Sequence, residues 1–267
     1  MIKEIHNSLI LKRILFPIIF NINWKINKFK NINPILCKII IDLLNNLSSY
    51  LITGSNRGIG LELSRQINQR GDKVIATCRK SSKDLDKLGV NVIDNVDISS
   101  EESIKNLKIN LKNIKLDCLI HNAGIAEYNS FDNLNPESIR RQFEINALSP
   151  LCMTKAMIEL LHKNSKIAFI TSRMGSIDDN TSGSSYGYRM SKVALSMAAK
   201  SLSIDLLERE IHIAIIHPGL VSTRMTGFNK NAISTKESVE GILNILKKLN
   251  SNNTGTFWHT NGKVLPW

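Results

Sequence analysis

From residue 48 onward, short runs of β-branched and apolar residues alternate with longer stretches whose apolar positions recur at helical spacing. Tyr50–Thr53, Lys73–Cys78, Val90–Asn95, Cys118–Asn122, Lys166–Thr171 and His212–His217 read as strands. Strands that alternate with amphipathic helices imply βαβ crossovers and a parallel sheet covered on both faces. The first helix is predicted from about Ile59 and stops at Gly71 just after Arg70, a cation followed by a glycine. Residues 48–267 contain no internal repeat and no linker, so one doubly wound α/β domain is expected there.

The pattern changes before residue 48. Residues 1–47 are rich in Ile, Asn and Lys, and their longest apolar run, Ile14 to Phe20, contains Pro17 and is too short to span a bilayer. No small-residue cleavage site follows it, so a secretory signal fits poorly. Basic, acid-poor character suits either an organelle-targeting or membrane-surface segment or an extension without function. Seven of the Lys and Arg residues and two acids fall there, a net +5 out of the chain's +12, which leaves +7 for the rest. No nucleic-acid-binding motif accompanies that charge, and a basic cofactor pocket with solvating lysines accounts for it. The chain is 42% hydrophobic and 22% charged, an ordinary profile for a protein with a packed core. Cys37, Cys78, Cys118 and Cys152 stand far apart without metal spacing and read as reduced thiols, which points to the cytoplasm.

The first strand runs directly into TGSNRGIG, residues 53–60. Glycines at 54, 58 and 60 let the backbone turn tightly and approach a pyrophosphate, and the following helix offers unpaired N–H groups to phosphate. Set between a strand and a helix, this is a dinucleotide loop of Rossmann type. The spacing is GxxxGxG, and further motifs follow in order: HNAG at 121–124, Asn146 in FEINALSP, Ser172 in ITSRMGS, YRMSK with Tyr188 and Lys192, and HPGLVST at 217–223.

In these motifs residues 48–267 resemble the short-chain dehydrogenase/reductase family, and the ending GTFWHTNGKVLPW resembles its carbonyl reductase branch, related to C-factor and sniffer proteins. The resemblance implies an NADPH-dependent oxidoreductase that reduces aldehydes, ketones or quinones. It implies that Gly54, Asn56, Arg57, Gly58, Ile59 and Gly60 form the phosphate loop, with Arg79, Asp97 and Ile98 around the adenosine. Asn122, Ala123 and Gly124 would follow, and Tyr188, Lys192, Pro218, Gly219, Val221 and Thr223 would surround the nicotinamide. A helix-mediated homodimer is also implied. Two departures stand out. His121 occupies a position where the family carries asparagine, and Ser172 precedes Tyr188 by sixteen residues where thirteen is the family's usual spacing. The surplus falls in the polar run 178–185, a loop by composition, and Thr171 and Ser176 are rivals to Ser172.

Carbonyl reduction needs a hydride on carbon and a proton on the developing alkoxide. Tyr188 is the candidate acid. Lys192 lies one helical turn on, where its ammonium is expected to lower the phenol's pKa. Ser172 would hydrogen-bond the substrate oxygen, and Asn146, by resemblance, would anchor a water linking Lys192 to solvent. Tyr186 has Met190, not a lysine, four residues on and is expected to line the substrate pocket, as is the segment 223–238 with Met225 and Phe228. Specificity for NADPH is expected because the second predicted strand ends on Cys78 with Arg79 next to it, with no acid to repel a 2′-phosphate, and Arg57 reaches the same place by resemblance. His121 and His217 have no partner at metal spacing, so no metal is expected. Two other functions fit these residues: an alcohol dehydrogenase acting on a steroid or retinol-like substrate, and a non-catalytic NADPH-binding sensor.

Overall fold

Ser49–Thr53 (β1) pairs in parallel with Lys73–Thr77 (β2) on one side and with Leu116–His121 (β4) on the other, which places the first strand at the centre of the sheet. A computed structural model describes residues 47–267 of the chain; residues 1–46, with Cys37 and the proposed targeting segment, lie outside the described residues. Asn91–Ile93 (β3), Leu161–Ile170 (β5), His212–His217 (β6) and Thr256–His259 (β7) complete a seven-stranded sheet in the order β3-β2-β1-β4-β5-β6-β7, every neighbour parallel. The helices are Gly58–Gln69 (α1), Lys83–Asp86 (α2), Glu101–Asn110 (α3), Pro136–Phe143 (α4), Ser149–Met157 (α5), Tyr186–Asp205 (α6) and Thr235–Lys248 (α7).

Alternation along each strand divides the core in two. Leu51, Leu119, Ile167, Phe169, Ile213 and Ile215 face Ile104, Met153, Met157, Leu195 and Ala199 of α3, α5 and α6. Ile52, Ile120, Ala168, Ile170 and Ile216 face Leu63, Ile67, Val239 and Ile242 of α1 and α7. With both faces covered, the strands are apolar nearly throughout, the physical reason they were legible as continuous runs.

Four strands depart from expectation by two residues or more: β4 begins at Leu116, two residues early, because Asp117 interrupts its apolar run. β3 keeps only three residues, because it is an edge strand bonded to β2 alone. β5 begins five residues early, at Leu161, through the exposed polar stretch 162–164, where polarity hid the strand. β7 was not anticipated: Thr256–His259 is four residues long and only Phe257 of them is fully buried. The end of α1 is as read, with Arg70 as C-cap and Gly71 at φ +87°.

The sheet order reverses between β1 and β4. Their C-terminal ends diverge there and open a crevice, the usual ligand position in open α/β sheets.

Candidate active site

The crevice is a cleft of about 870 Å³ at the C-terminal edge of the strands. At its floor the glycine loop is held closed by its neighbour from β4. Gly54 and Gly58 have φ of +69° and +55°, backbone that an L side chain rarely adopts. A Cβ on Gly60 would lie 2.2 Å from the Gly54 carbonyl oxygen and 2.6 Å from Asn122 Nδ2. Asn122 Nδ2 donates to the carbonyls of Thr53 (3.0 Å) and Gly54 (3.2 Å), while Thr53 Oγ1 accepts from the backbone N–H of Asn122 (3.0 Å) and Ala123 (3.1 Å). Asn122 therefore shapes the loop through its side chain, and Thr53, which sequence reading passed over, ties β1 to the HNAG turn. Arg57 precedes α1 without a side-chain cap, whereas α2, α3, α4 and α7 are capped by Ser82, Ser100, Asn135 and Ser234. The first N–H groups of α1 are thus left to a ligand in the cleft.

Arg57 and Arg79 are exposed and line the same end, and neither closes a salt bridge with another described residue. Asn56 is held beside them, donating from Nδ2 to the Lys80 carbonyl at 2.9 Å. Asp97 accepts from the backbone and hydroxyl of Ser99 (2.9 and 2.7 Å), which holds its carboxyl below the usual range with a smaller contribution from Arg79. Ile59, Ile98, Ala123, Gly124, Pro218 and Thr223 also face the cleft, with Arg224, Met225 and Phe228 beyond them. Gly60 sits behind the loop. Val221 is buried, bridged to Ile233, and Gly219 turns there at φ +83° against the Ile233 side chain.

At the other end three elements converge. β5 delivers Ser172, which caps a short 3-10 turn, Arg173–Gly175, by accepting from Met174 N at 3.1 Å. α6 delivers Tyr188 and Lys192, both buried, with the Ser172 hydroxyl near enough to the Tyr188 phenol to lower its pKa. Gly175 lets the turn press on α6, since a Cβ there would meet the Lys192 carbonyl carbon at 2.7 Å. Asn146 lies in a π-helical turn, Glu144–Leu148, between α4 and α5. Both of its amide N–H groups are used: Nδ2 donates to the Ile125 carbonyl (2.8 Å) and to Ser191 Oγ (3.0 Å), while Oδ1 accepts from Ile125 N (2.8 Å). A Cβ on Gly124 would stand 3.0 Å from Asn146 Oδ1 and 3.6 Å from Lys192 Nζ, which shows how closely the three approach. The hydroxyls of the rivals to Ser172 are engaged within the protein, although Thr171 itself lines the cleft. Thr171 Oγ1 donates to the Lys192 carbonyl at 3.1 Å, and Ser176 Oγ donates to the Trp267 carbonyl at 3.1 Å.

The electrostatics differ from expectation at one point. Burial pushes the Tyr188 phenol up to about 12, against the opposing pull of the Ser172 hydrogen bond. Burial also brings the Lys192 ammonium down to about 8. Lys192 Nζ lies 5.8 Å from the Tyr188 ring centroid and donates to the Ile170 carbonyl at 2.9 Å. Desolvation of both groups outweighs the attraction of ammonium for phenolate that the four-residue spacing suggested.

His121 lies in the core, stacked on Phe169 at 4.8 Å. Thr154 gives its hydroxyl proton to the Pro150 carbonyl, so His121 Nε2–H donates to Thr154 Oγ1 at 2.8 Å; burial holds the ring neutral, with a pKa near 3. Among the described residues no three His, Cys, Asp or Glu side chains group as metal ligands, and no helix is long and apolar enough to cross a membrane.

The sequence profile of the short-chain dehydrogenases matches residues 49–233. The chain belongs to this family. It is 36% identical over 226 residues to the 1-hydroxy-2-glutathionyl-2-methyl-3-butene dehydrogenase of Rhodococcus sp. (strain AD45), covering 83% of this chain and 100% of that one. The NADPH-bound carbonyl reductase from chicken fatty liver superposes with a TM-score of 0.75 at 31% identity, over 83% of this chain and 99% of that one. The carbonyl reductase Sniffer of D. melanogaster gives a TM-score of 0.77 at 29% identity, over 83% of this chain and all of that one. This short-chain dehydrogenase therefore has the fold and the carbonyl-reductase-like branch that its motifs implied.

Proposed function

We propose that this short-chain dehydrogenase is an NADPH-dependent reductase of aldehydes, ketones or quinones, with Tyr188 as general acid. The observation that carries the reading is the convergence of Ser172, Tyr188 and Lys192 at one end of a cleft whose other end is a glycine loop. The cleft fits a dinucleotide: Gly54 and Gly60 leave no room for a side chain, and the N–H groups at the start of α1 are uncapped. When bound, the cofactor supplies the hydride.

The protein's part is the proton and the orientation. A phenol raised to about 12 is fully protonated at neutral pH, the form required of an acid that protonates an alkoxide. In this reading the Ser172 hydroxyl, next to the Tyr188 phenol, would donate to the substrate oxygen as charge develops on it. Lys192, tied to Ile170, and Asn146, tied to Ile125 and Ser191, are held rather than mobile. An intact set of this kind has no use in a silent sensor. For the cofactor, Arg57 and Arg79 line the cleft without a salt bridge to a described residue, and in this reading Cys78 takes the place of an acid that would exclude a 2′-phosphate. The solved chicken reductase carries NADPH.

The test is kcat/KM over a panel of aldehydes, ketones and quinones with each cofactor, and of the matching alcohols with the oxidised cofactors. Tyr188→Phe is expected to lower turnover about 100-fold or more while NADPH still binds within about twofold. Arg57→Ala with Arg79→Ala is expected to erase at least a tenfold preference for NADPH, since each charge-assisted contact contributes about 1.5–3 kcal/mol. No turnover of any carbonyl, or near-normal rates in the Phe variant, would overturn the reading.

A further inference from the structure

Two features of the sequence remain unused: the sixteen-residue gap between Ser172 and Tyr188, and the ending of the chain. The structure brings them together. After β7 the chain turns back on itself: His259 N donates to the Lys263 carbonyl (2.8 Å), Trp258 bridges Val264, and Leu265 N donates to the Phe257 carbonyl (2.8 Å). Trp267 then stacks its ring on Phe257, centroids 5.5 Å apart and planes inclined by 24°. Its carbonyl oxygen accepts three hydrogen bonds from the segment after Ser172: from Ile177 N (3.0 Å), Asp178 N (2.9 Å) and Ser176 Oγ (3.1 Å). Ser176 is buried, and its Oγ also accepts from Asp179 N at 3.2 Å.

The segment that carries Ser172 is therefore fixed from two sides. Gly175 N donates to the Ser172 carbonyl at 2.8 Å, and Gly175 itself lies against the backbone of α6 at Lys192. Residues 176–178 are fixed to Trp267. Beyond them, 180–184 is an exposed polar run, with Gly183, Ser184 and the buried Ser185 at positive φ, held at its far end by Arg189 Nε, which donates to the Gly183 and Ser184 carbonyls at 3.1 Å. A longer connection has more conformations to lose on ordering. The Trp267 contact limits that freedom one to three residues after the Arg173–Gly175 turn that Ser172 caps.

We infer that Trp267 is a positioning residue: stacked on Phe257, it latches the 176–178 segment and so sets the Ser172 hydroxyl against Tyr188. The inference rests on the catalytic reading of Ser172, and its test separates the two. The variants are Trp267→Ala, Trp267→Phe, a chain cut after Pro266, and Trp267→Ala combined with Ser172→Ala. Amide hydrogen exchange resolved by peptide is measured on each, with no substrate present. Trp267→Ala and the cut chain are expected to exchange faster across 172–178, with the glycine loop and α1 unchanged, and Trp267→Phe is expected to restore protection. In turnover with NADPH, the misplacement of one catalytic hydroxyl predicts a fall in kcat of about tenfold for Trp267→Ala, with cofactor affinity kept within about twofold. On a Ser172→Ala background the same substitution should cost almost nothing further. Unchanged exchange over 172–178, or an equal loss of kcat with and without Ser172, overturns the latch. Altered exchange without turnover of any carbonyl overturns the catalytic reading and leaves the latch standing as a structural tether.

Discussion

At Lys192 burial acts on a cation, and the consequence is a pH dependence of stability whose sign can be worked out. The ammonium's pKa falls from 10.5 to about 8 on folding, so between those values the unfolded chain holds a proton that the folded one has released. Stability therefore rises with pH through that window. The cost of keeping the group charged below pH 8 is on the order of 3 kcal/mol. Tyr188 works the other way: its pKa rises from 10.0 to about 12, so stability falls as pH climbs above 10. Urea denaturation of the protein without cofactor should show a gain between pH 8 and about 10. Lys192→Met should be more stable than the parent at pH 7 and should lose that gain. A parent and variant with parallel pH profiles would show that the ammonium is better solvated than its burial implies. This cost was invisible in the sequence, where a lysine four residues after a tyrosine signals attraction alone. How far each group is taken out of water depends on Ile170, Ile125 and the π-helical turn, all distant in the chain.

Among the elements, those buried on both faces were legible and those at the margins were not. β1, β2, β6 and the last four residues of β4 announce themselves because both of their faces pack, leaving largely apolar runs. β7 and the first half of β5 carry polar residues because they lie at the edge or start of the sheet, and no local pattern marks them. The glycine loop was legible to the residue, yet what closes it is a cross-strand contact: Gly60 has no space for a methyl group because Gly54 and Asn122 already fill it. Gly60→Ala should force α1 away from the HNAG turn. The expected result is a loss of about 1–3 kcal/mol of stability from overpacking. NADPH binding should weaken by at least tenfold, since the loop would no longer hold its phosphate-facing shape. Fluorescence titration with NADPH beside chemical denaturation measures both. Retained affinity would mean that the loop's shape is not what holds the cofactor.

Among the described residues, the chain is tied to the sheet from Ser48 onward. Lys73 N donates to the Ser48 carbonyl at 2.8 Å, Ser48 N donates to Asp72 Oδ1 at 3.2 Å, and Ser49 N donates to Asp117 Oδ2 at 2.7 Å, so the chain is hydrogen-bonded into the molecule from its 48th residue. β1 has strands on both sides, and its two faces are covered by α1 and α7 on one and by α3, α5 and α6 on the other. Nothing in this arrangement calls on an additional strand or on further apolar cover. We propose on this ground that residues 1–46 form a separate segment, and that a protein beginning at Leu47 folds and works alone. It should unfold in one cooperative transition, and its kcat with NADPH should stay within about twofold of the full chain, the range of surface changes remote from a site. The segment carries +5 of the chain's +12, so its removal should also weaken adsorption to anionic vesicles, most clearly at low salt where the Debye length is long. A truncated chain that failed to fold, or lost its turnover while folded, would show that the basic segment is part of the enzyme's core or reaches its cleft.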